Sequence, residues 1–207
     1  MAQALENETV FEFTGGSLCL DFANTLGGTR PRPNEHLKSY PDLIAWGRQA
    51  DVLTDGDARH LAQLAAQHPR DAARALAKAV AVRELLYRVL SSVIDGSRAS
   101  EEDFASLNAA LSRALDRLRI VAHAGGFGWA WATDGDALDR MLWPVMRSAA
   151  DLLVSGEVRR ARRCASESCN WLFLDTSRNH SRRWCDMRSC GNRAKARRYY
   201  ARKKAGR

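Results

Sequence analysis

The sequence predicts an α+β protein: a mainly helical N-terminal domain with two short β-hairpins, followed by a small cysteine-rich module that ends in a basic helix. Three observations carry this. Apolar residues recur at helical spacing through most of residues 39–155. Two short alternating stretches flank paired glycines, at Gly15-Gly16 and at Gly125-Gly126. Four of the five cysteines fall in the last 44 residues, inside the densest run of arginines.

The elements follow in order. "TVFEFTGGSLCLDFANTL" alternates apolar and polar residues on both sides of a glycine pair and predicts a first hairpin. "GGTRPRPNEH" predicts a loop, because glycine and proline interrupt any repeat. Ser39 with Asp42 forms a capping-box pattern ahead of Leu43, Trp46, Ala50 and Leu53. Thr54 with Asp57 opens a second helix, facing inward through Leu61, Leu64 and Ala65, and Pro69 closes it. The longest helix places Ala73, Leu76, Val80, Leu86, Leu90 and Val93 on one face and stops at Gly96. Ser100 with Asp103 starts a fourth, carrying Phe104, Leu107, Leu111 and Leu115. "LRIVAHAGGFGWAWA" predicts the second hairpin. A last helix runs through Leu138, Met141, Leu142, Val145, Ala149 and Leu152, with a kink expected at Pro144 and a stop at Gly156.

Charge divides the chain. The net charge is +8, but residues 159–207 hold sixteen Lys and Arg against three acids, a balance of +13. The preceding 158 residues hold sixteen against twenty-one, or −5. Domains are therefore expected at 1–158 and 159–207, with a nucleic acid as the partner of the basic one. No apolar run reaches about 18 residues, so no transmembrane helix is expected. "MAQALENETVFEF" lacks the basic-then-apolar order of a signal peptide, which points to the reducing cytoplasm.

In that compartment, paired cysteines read as metal ligands. Cys164-x4-Cys169 and Cys185-x4-Cys190 are matched pairs separated by fifteen residues, as a tetrahedral site built from two short loops requires. About 50 residues with few apolar side chains build little core, and metal binding supplies the missing folding free energy. One structural Zn²⁺ held by Cys164, Cys169, Cys185 and Cys190 is expected. Four thiolates leave no open position for catalysis. His180, between the pairs, is a loop residue, a phosphate donor or a substitute ligand; Cys19 is a core residue. A strand at Trp171–Leu174, a return strand ending at Trp184 and a helix from Cys190 onward would give a treble-clef-like finger.

The terminal helix is charged almost all round, so it has no apolar stripe for its own domain. Arg193, Lys195, Arg197, Arg198, Arg202, Lys203 and Lys204, with Arg178, His180, Arg182, Arg183, Arg188 and Asn192 in the finger, form the expected phosphate- and base-contacting set. A membrane partner is not expected, because the helix lacks an inserting apolar face. Trp184, Tyr199 and Tyr200 either stack on bases or anchor the helix, and packing is the default.

Cys190-Gly191-Asn192-Arg193, preceded by two C-x4-C pairs and followed by a basic helix, resembles the CGNR zinc finger. "GGSLCLDFANTL", with a later arginine and "YPDLIAW", resembles the ABATE domain that precedes that finger. The resemblance implies a bacterial stress-induced transcription regulator with a DNA-binding finger and a regulatory or ligand-sensing N-terminal domain. It gives the four cysteines the metal role, with Gly191, Asn192 and Arg193 completing the motif.

In the N-terminal domain, Asn24, Thr25 and Arg30, with Asp21 and His36 nearby, are candidates for a pocket that takes a small-molecule effector. The plainer reading has Asp and Asn satisfying backbone groups at a strand end. No Walker loop, G-x-S-x-G, H-E-x-x-H or Rossmann glycine pattern is present, so no constellation argues for an enzyme. The expectation is a zinc-dependent, DNA-binding regulator. An RNA-binding or ribosome-associated zinc protein, and an enzyme with an N-domain pocket, stay open beside it.

Overall fold

The computed structural model describes residues 9–132 and 136–205. The first eight residues of the stretch read for a signal peptide lie outside these. Among the described residues, no helix is long and apolar enough to cross a membrane.

The first departure from expectation comes at once. Residues 18–23 form a short helix, α1 (Leu18–Ala23), and not the return strand of a hairpin. Leu18, Leu20 and Phe22 alternate, but Cys19 and Ala23 are equally buried, and 19, 20, 22 and 23 together make a helical face. The Asp21 carboxylate accepts from the Gly15 N–H at 2.7 Å and fixes the glycine bend before the helix. The predicted loop is the hairpin. β1 (Leu26–Thr29) pairs antiparallel with β2 (Arg32–Glu35) around Arg30-Pro31. Pro33 is tolerated because both strands of a two-stranded sheet are edges. Its partner Gly28 has φ +73° and lies too close to the Arg32 carbonyl to carry a side chain.

Both capping boxes form, at the starts of α2 (Tyr40–Gln49) and α3 (Asp55–Gln67). Pro69 is the first residue of α4 (Pro69–Ile94), where its missing N–H needs no partner. The buried stripe of α4 runs through Ala72, Ala75, Ala79, Val82, Leu86 and Leu90, so its first half lies one residue from the expected one and Ala73 is exposed. α5 (Glu101–Leu115) buries Leu107, Ala110 and Ala114 and leaves Phe104 and Leu115 exposed. β3 (Leu118–His123) and β4 (Gly126–Trp131) form the expected hairpin. Pro144 falls in the first turn of α6 (Leu142–Val154), where it removes no intrahelical hydrogen bond, so no kink arises there. Gly156, at φ +74°, follows the helix end as expected.

α1 sits at the centre, against α4 and α6. Phe22 meets Trp46 edge-on, with ring centroids 4.7 Å apart. The β1–β2 hairpin is tied to α4 by the buried Arg83, which donates to Glu35 at 2.6 and 2.8 Å, and by the Arg30–Glu84 pair.

The cysteine-rich module begins with a 3-10 turn (Glu157–Arg160). β5 (Ala161–Arg163) then pairs antiparallel with β6 (Leu172–Leu174). The expected return strand toward Trp184 does not form, because β6 takes β5 as its partner. Ala161, Leu172 and Leu174 join the apolar core of the helical body. Phe173, on the opposite face of β6, packs with the four cysteines, Trp171 and Trp184 in a separate cluster. A π-helical turn (Met187–Gly191) leads directly into α7 (Asn192–Ala205).

Candidate metal centre and nucleic-acid interface

Two loops supply the sulfurs. Cys164 and Cys169 lie in the knuckle between β5 and β6, while Cys185 precedes and Cys190 lies within the turn that starts α7. The four Sγ atoms all lie within 4.8 Å of one another, with 3.9 Å between Cys169 and Cys185 and 3.6 Å between Cys185 and Cys190. Zn–S bonds of about 2.3 Å in a tetrahedron place sulfurs about 3.8 Å apart, so the set fits the ion. All four are buried.

Sulfurs this close compete for protons. Thiols of Cys169 and Cys185 donate to Cys164 and hold its pKa well below the ordinary thiol value. The same contacts push the Cys169 and Cys185 thiols up. Only a bound cation lets all four ionise together. The four thiolates hold one structural zinc, which supplies the folding free energy that the module's small core lacks. His180 is not part of the cluster; it sits in a left-handed turn at φ 47°, with Nδ1 3.3 Å from the Asp175 carbonyl.

Each residue after Cys190 has a local task. Met187 folds over Gly191 and occupies the space a Cβ would need. Asn192 Nδ2 donates to the Arg188 carbonyl at 3.2 Å, within the turn that carries Cys190. Arg193 Nη2 lies 3.0 Å from Cys190 Sγ and places a positive charge on the thiolate cluster. Hydrogen bonding to that sulfur raises the Arg193 pKa.

The expected contact residues divide into two groups. Arg182 is corrected: it is a clamp, not a free cation. Its guanidinium donates to the carbonyls of Thr14 at 3.0 Å, Trp184 at 3.0 Å and Leu174 at 3.3 Å, and to that of Cys185, and it lies over the Phe173 ring. It thus joins the finger to the segment before α1. The side chains of Arg178, Arg183, Arg188, Lys195, Arg198, Arg202, Lys203 and Lys204 are exposed. Arg197 is exposed too, but donates to Glu167 at 3.1 Å and Ser168 at 3.2 Å, bracing α7 against the knuckle. Sequence reasoning passed over this brace, although Glu167 is one of only three acids among sixteen bases. Trp184 packs at the cluster, whereas Tyr199 and Tyr200 are 64% and 68% exposed and meet each other edge-on, with ring centroids 5.5 Å apart.

The N-domain candidates come apart. Asn24 is 2% exposed; its Nδ2 donates to the Leu172 carbonyl and its Oδ1 accepts from the Leu172 N–H, both at 2.8 Å. Thr25 Oγ1 donates to the Phe22 carbonyl at 2.8 Å. These are the backbone-satisfying roles of the plainer reading. Arg30 is turned to other partners: its guanidinium covers the Tyr87 ring and pairs with Glu84. Asn24 and Thr25 nevertheless both line a cavity of about 710 Å³ between body and finger, where Asp21 and His36 face Trp171, Arg188 and Arg193. Burial pushes the Asp21 carboxyl up to about 6, against the N–H donors of Gly15 and Thr14.

The comparisons agree with this architecture. The ABATE family model, described as "Putative stress-induced transcription regulator", matches residues 16–156. The CGNR zinc finger model matches residues 160–203. No curated protein matches the sequence. Matched over well more than half of its length by the first model and over its cysteine cluster by the second, the chain belongs to the ABATE family and carries a C-terminal CGNR zinc finger.

Proposed function

We propose that the protein is a zinc-dependent regulator of transcription that binds duplex DNA through its finger and α7, acting in the cytoplasm and without catalysis. The observation that carries this is the state of α7. Every side chain from Lys195 to Lys204 is exposed, and six of those ten are Lys or Arg. Among the described residues nothing covers the helix from Lys195 to Lys204, while its start is held by the zinc cluster, the Arg193 contact and the Arg197 brace. A cationic rod on a rigid mount suits a groove lined with phosphates. Arg178, Arg183, Arg188, Lys195, Arg198, Arg202, Lys203 and Lys204 are the contacts assigned to phosphate and base edges. Asn192, Arg193 and Arg197 position the helix, and His180 borders the surface.

In this reading, residues 1–158 form the regulatory unit and 159–207 the binding unit. The cavity between them is the seat for a small-molecule effector, since a ligand there touches Asp21 and His36 on one side and Arg188 and Arg193 on the other. The exposed pair Tyr199 and Tyr200 favours one second reading, the stacking of unpaired bases in structured RNA.

Selecting bound sequences from random duplex DNA with zinc-loaded protein tests the proposal. Affinity should fall with salt, each neutralised phosphate adding roughly −0.9 to the slope of log K against log salt. A flat salt response, or loss of duplex binding to a structured RNA competitor, would sink the DNA reading.

A further inference from the structure

The cysteine cluster is buried from the outer surface, yet it is not sealed. Cys169, Cys185 and Cys190 form part of the wall of the cavity between body and finger, while Cys164 lies outside it. At about 710 Å³ the cavity admits a small molecule to three of the four metal ligands. Zinc holds its cysteines as thiolates, and the thiolate is the form that attacks an electrophile. Two of the three are set for each other. The Sγ atoms of Cys185 and Cys190 are 3.6 Å apart, against 3.9 Å for Cys169 and Cys185. A disulfide of about 2.05 Å therefore needs the first pair to close by about 1.5 Å. The turn that carries Cys190 lies in the distal half of the finger, where such a movement is open. Cys169 is held instead by its neighbours. The Asn170 N–H donates to the Gly28 carbonyl at 3.1 Å, the Tyr87 hydroxyl to the Asn170 carbonyl at 3.1 Å, and Trp171 Nε1 to the Leu26 carbonyl at 3.0 Å. Arg193 lines the same cavity with its Nη2 3.0 Å from Cys190 Sγ, so a reagent meets sulfur and guanidinium together.

We propose that Cys185 and Cys190 are a modification site, oxidised to a disulfide by a small hydroperoxide that enters through this cavity. The Cys190 thiolate attacks the peroxide: an S–O bond forms, the O–O bond breaks, and the leaving hydroxide meets the Arg193 guanidinium. The Cys185 thiolate then attacks the Cys190 sulfur. An S–S bond forms, the S–O bond breaks and a second hydroxide leaves. Both hydroxides take up protons from the solvent, so two sulfurs are oxidised and one peroxide is reduced to two waters. The metal loses two of its four ligands and departs, and the turn that mounts α7 loses its frame. Oxidation thereby detaches the cationic helix from its rigid base. The step needs the zinc cluster but no effector in the cavity.

The full zinc-loaded chain is treated with hydrogen peroxide beside a chromophoric zinc chelator, with a peroxide-free control, and peptide mass mapping after alkylation locates any disulfide. The expected result is zinc release above the control together with one disulfide, Cys185 to Cys190. A thiol reductant with added zinc should reverse both. Asn34→Trp fills the cavity from an exposed position on β2 and should slow release about tenfold or more, since access governs such reactions. Circular dichroism and zinc content confirm that the variant folds. Zinc retained under peroxide overturns the proposal, as does a disulfide that includes Cys164 or Cys169. Release from Asn34→Trp at the wild-type rate overturns the cavity as the route. Neither readout uses DNA, so the result is independent of whether the finger binds a duplex.

Discussion

Strand β6 is three residues long and belongs to two different interiors. Leu172 and Leu174 enter the apolar core of the helical body, while Phe173 enters the sulfur cluster of the finger. The body holds itself by ordinary burial of helical stripes around α1, Trp46 and Phe22. The finger has Phe173, two tryptophans and four cysteines, too little apolar area to order some 45 residues, and relies on a metal. The contrast teaches where each region is vulnerable. One fails through cavities and unmet hydrogen bonds, the other through loss of a single ion. Because β6 serves both, the finger is not a bead on a linker: its hairpin is built into the body and only its distal half depends on zinc.

The largest expected effect breaks the comparison on the metal side. Cys185→Ser should abolish zinc retention and remove about 10–16 kcal/mol of metal-coupled folding free energy from the distal finger. Hydrogen exchange should show residues 175–205 losing protection while β6 and α2 to α6 keep theirs. Uniform loss across the chain would mean that body and finger are one cooperative unit.

Asn24→Ala attacks the shared strand from the other side. It leaves the buried N–H and C=O of Leu172 without partners, at about 1–3 kcal/mol each, so denaturant unfolding should show a loss of about 2–6 kcal/mol. Zinc affinity should change little, since Phe173 and the thiolates keep their contacts. A large drop in zinc affinity would show that the body sets the metal geometry.

Arg193→Met sharpens the division within the finger. If the guanidinium serves the thiolates, zinc affinity measured by chelator competition should fall about 10–100-fold, as for other outer partners of metal ligands. If it serves phosphate instead, zinc affinity will hold, and the salt slope of DNA binding will shrink by about 0.9.

The smallest effect concerns Asp21. Its folded pKa, about 6, lies above its ordinary value of 3.8, so the folded state binds the proton more tightly. This contribution is fully present below about pH 4 and is lost as pH rises through 6. The shift corresponds to at most about 3 kcal/mol, and water access to the carboxyl reduces it to about 1–2. Asp21→Asn keeps an acceptor for the Gly15 N–H and removes the charge, so it should raise stability at pH 7 and flatten the profile between pH 4 and 6. Thermal melts at several pH values check this; a less stable variant at pH 7 would contradict it.

What was legible in the sequence is what depends on near neighbours. The capping boxes at Ser39 and Thr54, the second hairpin, the stop at Gly156 and the two C-x4-C pairs are local patterns, and each forms as read. Misreadings arose where local signals were evenly balanced. Leu18 to Phe22 alternates like a strand, yet burial of Cys19 and Ala23 against α4 and α6 makes it a helix. The proline-rich loop is a hairpin because both strands are edges and Arg83 grips Glu35 from α4.

The sequence alone determined the metal site, the charge division and the exposed cationic helix, since spacing and composition are enough to specify them. Only the tertiary structure decided that Asn24 reaches across 148 residues to pair with Leu172 and that Arg182 closes onto the Thr14 carbonyl. It alone brought a cavity to the junction of body and finger. Those features depend on which surfaces meet, and a meeting between distant segments follows from the packing of whole helices, not from any short run of residues.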